Sequence, residues 1–265
     1  MTALLLGYDF VTAVSKRLYK VRRGNEHFLL KTYEAQPPEA IARASKLQGP
    51  WVAELRDIGL FDTRHAVVSE WVEGIELSGL LGQGALPQPV ALHIAFEVAR
   101  ALTAAHELDD GAMVHGALDP SHVLLRQDGA VKVCNFGGGV RRDGLLRAHR
   151  GFVAPEVLAG GEADVLSDVY ACGALVYLLL TGKTPAEAAL SNRGVVPPPS
   201  RLQPGLDDSL DATLLELIAS DPAERAISVR GLTGAIDTYT EDMELELGPE
   251  PLAELMASMA RARAA

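Results

Sequence analysis

The chain has 265 residues, enough for one large domain or two packed lobes, and its 48% hydrophobic and 22% charged residues suit a soluble globular protein. A net charge of −11 argues against nucleic acid or an anionic membrane as the main partner, since both reward a basic face. The two cysteines, Cys134 and Cys172, lie inside apolar runs, so no disulfide framework is implied and a reducing, cytoplasmic setting is expected.

MTALLLGYDF at the start has no basic n-region and is not expected to be a signal peptide. Strand patterning runs through MTALLLGYDFVTAV, RLYKVRR and EHFLLKTY, with a turn at Gly24-Asn25. Pro37 and Pro38 precede EAIARASKLQ, a short helical pattern. ELRDIGLF and HAVVSEWV form another strand pair around Asp62-Thr63-Arg64, and strand patterning stops in EGIELSGLLGQG. Helical periodicity then places Val90, Ile94, Val98, Ala101 and Leu102 on one face of QPVALHIAFEVARALTAAHELDD. VHGALDPSHVLLRQDGAVKVCNFGGGV reads as a helix end, a polar loop and two short strands across a QDG turn. SDVYACGALVYLLLTG is apolar nearly all round and should lie at the centre of a helical lobe. Its apolar run 171–180 is too short to span a bilayer, so no membrane insertion is expected. RGVVPPPSRLQPG reads as a surface connection, and DSLDATLLELIAS and SVRGLTGAIDTYT as further helices. The predicted organisation is α+β: a strand-rich lobe over 1–73, a helical lobe over 74–240, and a tail over 241–265 with a helix of its own. In that tail Leu252, Leu255, Met256 and Met259 fall at helical spacing and are expected to pack on the chain's own helical lobe.

Over residues 7–240 the chain resembles the protein kinase family, most closely the bacterial serine/threonine type. GFVAPEVL contains Ala154-Pro155-Glu156, SDVYACGALVYLLLTGKTP carries Asp168, and DPAERAIS supplies Arg225, in family order and spacing. The resemblance implies a bilobal kinase fold. It also implies structural roles for Glu156, Arg225 and Asp168, with Arg225 paired to Glu156, and for His115, Phe136 and Gly137. Lys31 in FLLKTY matches the strand lysine that holds phosphates in the family, and is the one residue expected to contact a nucleotide.

Other positions depart from the family pattern. Ala117 stands where the family keeps its catalytic aspartate, and an alanine accepts no proton. Asn135 heads the triplet whose aspartate binds Mg²⁺ in the family, and His122 replaces the second metal ligand; neither suits magnesium. The glycine-rich loop is expected over residues 7–14, where only Gly7 and Val14 survive and Asp9 would repel phosphates. Glu39 falls one residue from the slot of the helix glutamate that pairs with the strand lysine, and one residue is about 100° of helix rotation. Leu29 replaces a small alanine and is expected to crowd the purine site. Between Asn135 and Glu156 there is no Ser, Thr or Tyr to phosphorylate, and Gly116 replaces the arginine that would receive such a phosphate. Asp119 is not expected to serve as a substitute base, because its side chain should leave in another direction.

The expectation is therefore a pseudokinase that is not an enzyme. It would have no catalytic or metal-binding residues and weak or absent ATP binding without Mg²⁺, and would act as a scaffold or regulator that binds protein partners. A nucleotide-sensing domain without transfer stands as the alternative, and a divergent kinase or other transferase behind it.

Overall fold

The computed structural model describes residues 7–35, 39–81, 84–138 and 150–264. Alternation of β-branched and aromatic residues with polar ones yields β1 (Asp9–Ser15), β2 (Leu18–Arg23) and β3 (Glu26–Tyr33). Between β2 and β3 the chain turns through left-handed backbone, which Gly24 supplies at φ 63°. A helix α1 (Glu39–Arg43) and a 3-10 turn (Ala44–Lys46) lead to β4 (Leu55–Phe61) and β5 (Arg64–Glu70). These strands form an antiparallel sheet in the order β1-β2-β3-β5-β4. Period-two alternation sends Phe28 and Leu30 into a small cluster with Tyr8, Val21, Ala66 and Val68, and turns Leu29, Lys31 and Tyr33 to the opposite face.

The rest is helical around a second small sheet. β6 (Gly74–Glu76), β7 (Val123–Arg126) and β8 (Val131–Val133) pair in that order. The helices are α2 (Gln88–His106), α3 (Pro155–Leu158), α4 (Val165–Thr181), α5 (Pro185–Ser191), α6 (Pro199–Leu202), α7 (Asp211–Leu217), α8 (Val229–Asp242) and α9 (Glu250–Ala264). As its all-round apolar sequence requires, α4 is buried at the centre, against α2 and α7. Asp164 caps its start by accepting from Ser167 N at 2.8 Å, and Gly182 ends it in a left-handed conformation. No single helix among the described residues is long and apolar enough to cross a membrane.

Three local readings change. The EAIARASKLQ pattern yields only a five-residue helix and one tight turn. β6 forms where strand patterning stops: Gly74 lets the backbone approach β7 so closely that a Cβ there would lie 2.0 Å from Leu125 O. Within the proline-rich connection, Pro199 starts the short helix α6. The proline pair at 37–38 lies outside the described residues. In the tail, Leu252 and Met256 of α9 are buried in the main core and Leu255 and Met259 pack beside them.

The lobes are stitched together beside the cleft between them. Val133 N donates to Trp51 O at 2.8 Å and Ala53 N to Val133 O at 2.9 Å. Lys132 on β8 donates to Glu70 Oε2 at 2.8 Å, at the end of β5, and to Val52 O at 3.1 Å.

Candidate functional site

Between the lobes lies a cavity of about 450 Å³. That is within the range of small-molecule sites. Leu29, Lys31, Ser69, Glu70, His122 and Asn135 are among its walls. Lys31 reaches it because β3 places it on the inner face of the sheet. Burial lowers the pKa of its ammonium, and Nζ donates to Asn135 Oδ1 at 2.9 Å.

Asn135 follows β8 and adopts φ 68°, a left-handed conformation that Asn tolerates better than most residues. Its amide Nδ2 lies 3.3 Å from His122 Nε2. Phe136 is buried, with its ring edge-on to His115 at 4.8 Å between centroids. Gly137, at φ 69°, lies so close to α1 that a Cβ would come 2.7 Å from the Ala40 backbone. This turn therefore meets α1 through backbone. Glu39, at the start of α1, is exposed, and among the described residues no ion pair joins it to Lys31. The lysine's amide contact stands in place of the carboxylate the family uses.

Below the cleft, Asp168 on α4 organises the loop that holds Ala117. Its Oδ2 accepts from His115 N at 2.7 Å and its Oδ1 from Gly116 N at 2.8 Å, while His106 Nε2 lies 3.0 Å from Oδ2. His115 is wholly buried: Nε2 donates to Cys134 O at 3.0 Å and Nδ1 accepts from Ala117 N at 3.3 Å. Burial, reinforced by nearby His122, pushes its pKa down to about 4. Asp119 caps the turn Pro120–His122, accepting from Ser121 N at 2.7 Å and Ser121 Oγ at 2.6 Å, with His122 Nδ1 at 3.4 Å. Those bonds commit it to the loop rather than to a substrate hydroxyl. Glu156 and Arg225 form a two-pronged pair at 2.7 and 2.8 Å.

The donor set does not fit Mg²⁺. That ion takes charged oxygens in octahedral array. Here the two positions the family uses offer an imidazole and an amide whose only oxygen already faces an ammonium. Among the described residues no group of three or more His, Cys, Asp or Glu could hold a metal.

One site expectation needs correction. The strand pair that covers the cleft turns at Ser15–Leu18, not within residues 7–14. Residues 9–14 are already strand β1, because their backbone pairs with β2. Asp9 sits at the far end of that hairpin beside Arg22, and the turn brings Arg17 to the cavity wall instead. The Lys16-Arg17 pair just before a regular strand is the sequence signal for that turn. Leu29 forms part of the wall of that cavity. The proposed loss of a phosphorylation switch falls largely on 139–149, outside the described residues.

Residues 14–198 match the family model described as protein kinase domain. The chain belongs to the protein kinase family. This kinase domain is 28% identical over 221 residues to a probable serine/threonine-protein kinase of Clostridium perfringens, covering 77% of this chain and 31% of that protein. It is 29% identical over 210 residues to the serine/threonine-protein kinase PrkC of Bacillus subtilis, covering 74% and 32%. To the serine/threonine-protein kinase PknL of Mycobacterium tuberculosis it is 30% identical over 200 residues, covering 69% and 49%. Among solved structures, the PknI kinase domain of Mycobacterium tuberculosis superimposes with a TM-score of 0.69 at 25% identity, covering 90% of this chain and 99% of that one. The chain spans about a third to a half of the length of the curated relatives it matches.

These comparisons overturn the expectation that the chain is not an enzyme. The family is one of enzymes, and relatives at 28–30% identity are named protein kinases. A missing base lowers a rate by about 10²–10⁴ rather than to zero. Phosphoryl transfer rests mostly on positioning and electrostatics.

Proposed function

We propose that this protein kinase domain is a nucleotide-responsive regulator. It binds a nucleoside triphosphate in the interlobe cleft and acts chiefly by docking protein partners. Its phosphoryl transfer to a protein hydroxyl is slow. The observation that carries the reading is Lys31, half-buried at the wall of an open 450 Å³ cleft and held in place by Asn135. Transfer is slow because Ala117 offers no proton acceptor and Asp119 is committed to its own loop. The net charge of −11 supports a protein partner with a basic face rather than nucleic acid.

Thermal unfolding with added ATP tests the reading. Ligand at 100 times Kd should stabilise the domain by about 2.7 kcal/mol. The shift should disappear in Lys31→Ala. A wild-type domain that ATP leaves unshifted at any concentration removes the proposal.

A further inference from the structure

The cleft supplies positive charge in an unusual way. Arg17 stands in the hairpin turn over the cavity and Lys31 in its inner wall. Arg17 donates to Glu34 at 2.5 Å across an exposed surface, and its own carbonyl is fixed by Thr32 N at 2.9 Å, so the turn is tied to the strand that carries Lys31. The metal positions are occupied differently. Asn135 spends its oxygen on the Lys31 ammonium and its nitrogen on His122. A divalent cation at that oxygen would sit beside the half-buried Lys31 ammonium, and like charges at such range repel. The cavity's carboxylates are otherwise engaged: Glu70 holds Lys132, and Glu76 accepts from Ser78 Oγ at 2.9 Å.

Building on the nucleotide-binding reading above, we propose that the cleft takes its nucleoside triphosphate as the metal-free polyphosphate. The Arg17 guanidinium and the Lys31 ammonium supply the charge compensation that a divalent cation gives elsewhere. Arg17 leaves Glu34, an exchange made easy by the exposure of that pair, and its fork meets two phosphate oxygens. Lys31 meets a neighbouring phosphate as a point charge. Asn135 Nδ2 then leaves His122 Nε2 and donates to a phosphate oxygen as a neutral amide.

Calorimetric titration of the purified domain with ATP, in excess EDTA and then in saturating MgCl₂, tests this. ATP should bind in EDTA, and magnesium should leave the affinity unchanged or weaken it. Arg17→Ala and Lys31→Ala should each weaken binding in EDTA by roughly tenfold or more, the scale of one charge-assisted contact. Arg17 lies on an exposed turn, so its variant reports on binding rather than folding. The paired change Asn135→Asp with His122→Asn restores oxygen ligands and should make binding depend on magnesium. If wild-type domain binds ATP only with magnesium, the metal-free proposal is overturned while the nucleotide reading stands. If ATP binds under neither condition, both fall.

Discussion

Arg225 grips Glu156 with both ends of its guanidinium, at 2.7 and 2.8 Å, from a site where the arginine side chain has no exposed surface. The same group donates to the carbonyls of Ala219 and Leu166 and lies over the Tyr170 ring. It thereby ties α3, α4 and the chain before α8 into one unit.

Glu156→Gln leaves that buried guanidinium without its counter-charge. The domain should lose about 3–5 kcal/mol of stability in urea unfolding. A loss under about 1 kcal/mol would put the pair in the class of surface ion pairs, which contribute little.

The bilobal plan was legible because it depends on long periodic segments. The all-apolar α4 and the alternating β3 each admit one placement, and the Glu156–Arg225 pair follows from family spacing. What escaped reading depends on backbone pairing. The β1–β2 register, with its bulges between Phe10 and Thr12 and between Ala13 and Ser15, decides which residues turn over the cleft. The Lys16-Arg17 pair marks the turn only once the start of β2 is known, so the sequence alone puts Asp9 at the cleft where the fold puts Arg17. Side-chain bulk such as that of Leu29 is visible in sequence, but the spacing between the lobes around it is not.

Stability should fall with acid in a window set by His115. Its pKa lies near 4 in the fold against an ordinary value of 6.5. Protonating Nδ1 would also set its proton against the Ala117 N–H. The unfolded chain therefore gains a proton before the folded one does. The contribution is whole above pH 6.5 and is lost as pH falls toward 4, amounting to about 3 kcal/mol. Urea midpoints measured across that range should decline in wild type and decline less in His115→Leu. Equal slopes would assign the acid sensitivity elsewhere.

The tail should behave as part of the fold. Leu252→Ala opens a cavity at a wholly buried site and should cost about 2–5 kcal/mol. Gly129→Ala should loosen the same region, since a Cβ there would lie 1.9 Å from Pro249 O. Limited proteolysis should then cut the tail helix first. A tail that leaves stability unchanged when altered would instead be a detached appendage.

Restoring a carboxylate below the cleft should speed transfer. Ala117→Asp places a proton acceptor on a loop already held by Asp168, and transfer of labelled phosphate to a protein substrate should rise by about 10²-fold or more. An unchanged rate would show that this loop does not face the acceptor hydroxyl.

Lys132 bears on how such a domain can respond to what it binds. Its ammonium bridges Glu70 and the Val52 carbonyl across the junction of the two halves, with little of its side chain exposed. Swinging the halves apart would break that ion pair together with the backbone bonds between Val133 and Trp51 and Ala53, so wide rocking motions are penalised. Under the proposed reading, a signal from the cleft to a docked protein would travel as small rearrangements of turns and side chains around a stiff waist.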